Sequence, residues 1–241
     1  MRQWLINHEK KVIRFLEILP GFISWSLIIF PIWGSLIIPT VVAYYIIAFD
    51  VYWLYRSLWS AGLSLLAHFR LKASQQFDWL NEAKSFLDWK RVHHIIIIPT
   101  YKEPLYILQR TLNGLKKQTF PRENLTVVVS FEEREGKAGS DKAKILTAEF
   151  KHVFKNLLIA FHPDIPGEVK GKSANTAWGA KIAKQELIDK QKENINYATI
   201  TSNDADALLH PQYFSYLTFK FLDDPRRFEK IWQSAIQFYN N

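Results

Sequence analysis

The chain has 241 residues, enough for one domain of ordinary size plus an appendage. It contains no cysteine, which excludes a disulfide framework and any Cys-based metal site. Lys and Arg number 31 against 23 Asp and Glu, and many of the aromatics fall in the first third, so a membrane is the expected partner and nucleic acid is not.

Residues 1–19 are charged and mildly amphipathic, with Trp4, Leu5, Val12, Ile13, Phe15 and Leu16 set among Arg2, Lys10, Lys11 and Arg14. The segment is too charged for a signal peptide, and no small-residue cleavage site follows it. It reads as an interfacial helix. From Ile18 to Phe49 no residue is charged, a run longer than the ~20 residues that cross a bilayer. Pro31, Gly34 and Pro39 interrupt the run, and apolar character resumes from Val51 to Phe69 with Arg56 inside it. Two spans, near 20–38 and 41–66, are predicted, giving a transmembrane helical hairpin over 20–69. Lys10, Lys11 and Arg14 precede it and Arg70 and Lys72 follow it, so both ends are expected in the cytoplasm. A single tilted span is the alternative. Trp25, Trp33, Trp53 and Trp59 suit interfacial belts, and Asp50 is expected at a headgroup layer or paired within the hairpin. Residues 70–91 form a basic connector bearing Trp79, Leu80, Phe86, Leu87 and Trp89, expected to lie on the membrane surface.

From residue 92 to 241 the pattern changes to strands alternating with helices. Ile95–Ile98 is a continuous β-branched run ending at Pro99, as in a strand buried on both faces. Pro104 opens a helix with Leu105, Leu108, Leu112 and Leu115 on one face. Leu125–Ser130 is a second buried strand, 141–155 a polar helix, 157–161 a short strand and 172–192 a further helix. Tyr197–Thr201 is the next strand, Pro211–Leu222 a helix, and Ile231–Tyr239 a last strand. Strands separated by helices predict a parallel sheet, with ligands at the carboxyl ends of its strands.

The residues with chemistry fall at those ends. Asp204 and Asp206 stand at i, i+2 after the fourth strand, so on extended chain both side chains point the same way. Adjacent carboxylates repel unless a cation sits beside them, and a hard divalent cation with few protein ligands also takes phosphate oxygens. A metal–diphosphate site follows, with a solvated turn as the bland alternative. Pro99-Thr100-Tyr101-Lys102-Glu103-Pro104 ends the first strand and Ser130-Phe131-Glu132-Glu133-Arg134-Glu135 the second. Lys170-Gly171-Lys172-Ser173-Ala174-Asn175 opens the third helix. Lys172 reads either as an anion contact or as a surface lysine, Glu133 and Glu135 as site residues or a solvated loop. His93 and His94 read as packing residues rather than ligands.

This ordered set resembles the inverting glycosyltransferases of family 2, including their membrane-attached, cellulose-synthase-like branch, over residues 92 to about 215. The resemblance implies the nucleotide-diphospho-sugar transferase (Rossmann-like GT-A) α/β fold with a mostly parallel sheet, behind the transmembrane hairpin. It implies that Pro99, Thr100, Tyr101 and Glu103 line the pocket for base and ribose, and that Glu132 stands where the family has an Asp contacting the base. Lys172 would meet the diphosphate or donor sugar, and Asn175 matches the Asn of a K-A-G-N-like segment. Asp204 would contact ribose or metal and Asp206 the metal, Mg²⁺ or Mn²⁺. The implied partners are a nucleotide-diphosphate sugar donor and a lipid or polysaccharide acceptor, with sugar transferred by inversion on the cytoplasmic face.

The family's general base and its Q-x-x-R-W segment have no counterpart after Asp206, Asp223 and Asp224 standing at a helix end. The base is therefore expected beyond residue 241, and the chain is expected to be the donor-binding part of such an enzyme. Two other readings remain open from sequence: a catalytically silent membrane module of the same fold, and a P-loop nucleotide hydrolase, since Gly171-Lys172-Ser173 resembles the end of a Walker A loop. The latter needs Gly at 166, where the chain has Pro166.

Overall fold

The computed structural model describes residues 8–234, which divide after Gln75 into two compact units. The first unit is a helix pair, α1 (Glu9–Ile37) and α2 (Pro39–Ser74). The described part of the expected interfacial segment is therefore the first turns of α1, continuous with the apolar run. Pro39 stands in the first turn of α2, where its missing N–H costs nothing, and Ile38 breaks the helix with φ −137° and ψ 61°. Pro31 lies inside α1, so the Leu27 carbonyl loses its helical donor. The Tyr45 hydroxyl donates to that carbonyl at 3.2 Å. Gly34 lets the helices close beside the turn, because an added Cβ would lie 2.9 Å from both Phe30 and Val42.

Most other side chains of the pair are exposed, including Phe22, Trp25, Ile32, Leu36, Trp53 and Trp59. By length and composition α1 is the one helix among the described residues apolar enough to cross a membrane. The second helix carries Asp50 and Arg56 in its middle, and this dilutes its apolar character.

The second unit begins with α3 (Trp79–Lys84), capped by the Asp78 carboxylate, which accepts from the Asn81 N–H at 3.1 Å. Four strands follow, β1 (His93–Thr100), β2 (Leu125–Glu132), β3 (Asn156–His162) and β4 (Ala198–Ser202). They make one parallel sheet in the order β3-β2-β1-β4. The helices are α4 (Leu105–Lys116), α5 (Lys137–Phe150), α6 (Lys172–Ala183) and α7 (Tyr213–Asp223). A π-helical turn, Lys184–Lys190, extends α6.

The isoleucine run is explained by helices on both faces of the sheet. Ile96 and Ile98 pack with Leu108 and Leu112 of α4, Leu146 of α5 and Phe214 of α7, whereas Ile95 and Ile97 pack in a second core with Val128 of β2 and Ala183 of α6. Gly179 brings α6 down onto the sheet, since a Cβ there would lie 2.9 Å from Ile97.

Several boundaries and one role differ from the sequence reading. The connector's Trp79 and Phe86 are half-buried against the second unit, a contact the membrane-surface expectation does not include. The Trp79 ring lies 4.5 Å from Tyr216 and 5.4 Å from Phe219 of α7, and Phe86 lies 5.7 Å from Phe219. Helix α7 offers a ready apolar surface, so burial there captures residues that sequence pattern assigned to an interface. Leu87 alone of that expected set is fully exposed. Helix α5 starts earlier than expected because Gly136, at φ 63°, ends the preceding turn. The strand expected at Ile231–Tyr239 does not form over Ile231–Ser234, where Trp232 packs 6.3 Å from Phe221 instead. Its remainder, 235–239, lies outside the described residues.

His93 and His94 hold the amino end of the sheet, as packing residues. His93 bonds to Thr126 Oγ1 at 2.8 Å and pairs with Glu193, which Lys155 also approaches at 2.8 Å. His94 is fully buried between Phe120 and Phe214, with Nδ1 2.6 Å from Thr199 Oγ1 and Nε2 2.8 Å from Thr218 Oγ1. Burial, reinforced by the charge of neighbouring His93, pushes its pKa down to about 3 from 6.5. The folded chain thus keeps His94 neutral while the unfolded chain protonates it below 6.5. The stability this contributes is complete above that pH and is lost as pH falls toward 3. Urea unfolding measured from pH 7 to pH 4 is expected to show falling stability, with a shallower fall in His94→Gln, which keeps a donor and an acceptor but takes no proton.

Candidate functional site

The four strands end at one rim, and the loops beyond them enclose a cleft of about 330 Å³. That volume lies in the range of small-molecule sites. Pro99, Thr100, Tyr101 and Glu103 come from the end of β1, Glu132 from the end of β2, Lys172 and Asn175 from the first turn of α6, and Asp204 and Asp206 from beyond β4. All nine residues singled out in the sequence therefore meet in one cleft. The fold explains the convergence: β1 is central, β2 and β4 flank it in parallel register, and α6 returns over the opposite face. Asn203 continues from β4 by donating its N–H to the Ile97 carbonyl at 2.9 Å, which brings the next residues to the rim.

Asp204 and Asp206 are exposed while Asn203 and Ala205 are buried, on a turn rather than the extended chain expected, the Ala207 N–H donating to the Asp204 carbonyl at 3.1 Å. Asn203 fixes this segment by donating from its side chain to the Asp204 carbonyl at 3.0 Å and the Ala207 carbonyl at 3.2 Å. Thr111 adds a bond to the Ala205 carbonyl at 2.6 Å.

Charge in the cleft is distributed unevenly. Lys172 pairs with Asp204, and Arg134 pairs with Glu132 through two donors. The guanidinium of Arg134 is permanently charged, and its hydrogen bond to Glu132 raises its pKa further. The Asp206 and Glu103 carboxylates have no ion pair or hydrogen bond to a described residue. Two of the four carboxylates lining the cleft are thus uncompensated. No group of three or more His, Cys, Asp or Glu among the described residues could cage a metal. Two carboxylates at i, i+2 fit a Mg²⁺ or Mn²⁺ that takes its other ligands from phosphate and water. They do not fit a closed protein site.

The first loop has two further features. The Thr100 hydroxyl is buried without a hydrogen-bond partner among the described residues, so a polar group on this wall of the cleft is left to spend. The Tyr101 ring is flanked by cations, with Arg134 4.8 Å and Lys102 5.1 Å from its centroid. Arg134 was not singled out in the sequence. Its signal was there, because Glu132 and Arg134 stand at i, i+2 as β2 runs out, as the two aspartates do after β4.

Asn175 differs in character from the other eight. It is buried, and its side-chain amide is fully engaged. It donates to the Ser130 carbonyl at 2.8 Å and the Thr100 carbonyl at 3.2 Å and accepts from the Ser130 hydroxyl at 2.6 Å. It lines the cleft but works as a clamp, joining α6 to the ends of β1 and β2. Glu135 also departs from the solvated-loop reading, since its side chain is 2% exposed and paired with Lys142. Replacing Asn175 with Ala removes its donors from two buried carbonyls and leaves the Ser130 hydroxyl only its 3.1 Å bond to the residue 175 carbonyl. Chemical denaturation is expected to show a loss of roughly 2–4 kcal/mol.

No family model matches the sequence, and no curated protein matches it. Among solved structures, a mannosyltransferase from Pyrobaculum calidifontis, PcManGT in complex with GDP-Man and Mn²⁺, matches with 22% identity and a TM-score of 0.40. The match covers 68% of this chain and 41% of that one, so this chain spans less than half of that protein's length.

Proposed function

We propose that the second unit binds the sugar donor of a membrane-attached glycosyltransferase. It would take a nucleoside-diphosphate sugar, with Mg²⁺ or Mn²⁺, for transfer with inversion to a lipid or polysaccharide acceptor. The observation that carries this reading is the charge pattern of one cleft at the carboxyl rim of a parallel sheet. Asp206 has no ion pair or hydrogen bond to a described residue, and beside it Asp204 meets Lys172, which stands on the first turn of a helix.

Each part has a separate job. Asp204 and Asp206 would hold the metal, whose chemistry is to neutralise the negative charge that builds on the leaving diphosphate. Lys172 is the movable partner: its pair with Asp204 is exposed on both sides, 58% and 55%, so the pair costs little to break. The ammonium can leave Asp204 and turn to a phosphate oxygen. The first turn of α6 adds to this, because Gly171 supplies no side-chain cap and the helix dipole favours an anion there. Thr100 and Tyr101 offer a hydroxyl and a ring face to ribose and base. Glu132, held by Arg134, presents an acceptor for a base N–H.

The helix pair supports membrane attachment, because its apolar and aromatic side chains are exposed along both helices. Lys10, Lys11, Arg14, Arg70 and Lys72 at its open end support a cytoplasmic location for the second unit in this reading.

The test is a titration of the full chain in detergent with UDP, GDP and ATP, each with and without Mn²⁺. Metal-dependent binding of UDP or GDP is expected. Asp206→Ala should remove the metal dependence, and Lys172→Ala should weaken binding about tenfold or more, as loss of one charge-assisted phosphate contact does. Binding of ATP that ignores Asp206 and vanishes with Lys172→Ala would replace this reading with a nucleotide hydrolase.

A further inference from the structure

The buried ion pair behind the first loop has no part in the site described so far. Glu135, in the turn after β2, and Lys142, on α5, are 2% and 18% exposed. A carboxylate so deeply buried is kept charged only where its partners satisfy it. Beyond its pair with Lys142, Glu135 accepts from the backbone N–H of Lys102 at 3.1 Å. Lys142 donates to the carbonyl of Glu103 at 2.6 Å. The pair therefore grips two successive residues of the loop that forms one wall of the cleft.

The gripped residue is a strained one. Lys102 has φ 61°, the left-handed region that a side chain with a Cβ disfavours. That single turn carries Lys102 away from the cleft while Tyr101 and Glu103, on either side of it, line the cleft. Strain of this kind persists only where surrounding structure holds it. Gly139 completes the arrangement: a Cβ there would lie 3.2 Å from the Glu135 Cβ, so the first turn of α5 leaves room for the carboxylate.

We propose that Glu135 and Lys142 are positioning residues for nucleotide binding, holding the 101–103 loop in the left-handed turn that presents Tyr101 and Glu103 to the cleft. The proposal rests on the nucleotide-site reading above. It assigns the second-strand loop the task of setting the shape of the first.

The experiment separates positioning from plain stability. Affinity of the full chain in detergent for UDP and for GDP, with excess Mn²⁺, is measured beside the melting temperature. Variants are Glu135→Ala, Lys102→Gly and the double change. Glu135→Ala is expected to weaken the nucleotide that binds by about tenfold or more. Lys102→Gly, which adopts the left-handed turn without strain, is expected to restore most of that affinity in the double variant without restoring the melting temperature. Equal affinity in Glu135→Ala and the parent chain overturns the proposal, as does a double variant that recovers neither property. Hydrogen exchange on the unmodified chain gives an arm that needs no variant: the Lys102 amide should be protected by its bond to Glu135, and free exchange there overturns the proposal. If the unmodified chain binds neither nucleotide, the site reading fails and this proposal with it. Binding by the parent chain with no change on mutation removes only the positioning role.

Discussion

Two carboxylates placed two residues apart at the end of a strand repel each other, and the carboxyl rim of this sheet is organised around that repulsion. Asp204 and Asp206 line one cleft because Asn203 before them and Ala205 between them are anchored by hydrogen bonds. Among the described residues Lys172 pairs with Asp204, and Asp206 is left without a partner. A rim built this way is incomplete in charge and suited to a cation that arrives with an anionic ligand.

Rigid and yielding parts of the cleft are made from different materials. The clamps are buried: Asn175 ties α6 to β1 and β2 through an amide with every group engaged, and Glu135 with Lys142 grips the first loop. Removing one partner from such a cluster leaves polar groups with no water to replace it. The contact that a diphosphate would have to break, between Lys172 and Asp204, is exposed on both sides and weak. Scaffold and moving part are thus distinguished by burial, although the same residue types build both.

Much of this was legible in the sequence because the signals are local. The Ile95–Ile98 run announces a strand covered on both faces, and the four loops that follow strands carry residue types that a core would reject. A parallel sheet then brings them to one rim without further assumption. The illegible parts depend on partners distant in sequence. Trp79 and Phe86 look interfacial until α7, more than a hundred residues on, covers them. Glu135 looks like one more solvated acid until Lys142 and the 102–103 backbone surround it. Asn175 reads as a ligand contact by position, yet its amide is spent on backbone carbonyls. Arg134 is the exception, because its partner Glu132 stands only two residues away and the signal is local.

On the proposed reading the protein would supply only part of a metal site and the nucleotide the rest. Equilibrium dialysis of the full chain against Mn²⁺, with and without UDP or GDP, tests it most directly. Little Mn²⁺ retained by the protein alone, and near-stoichiometric retention once the nucleotide is present, is the predicted result. Retention that is equally strong without nucleotide would show a site the protein completes by itself and would contradict the account.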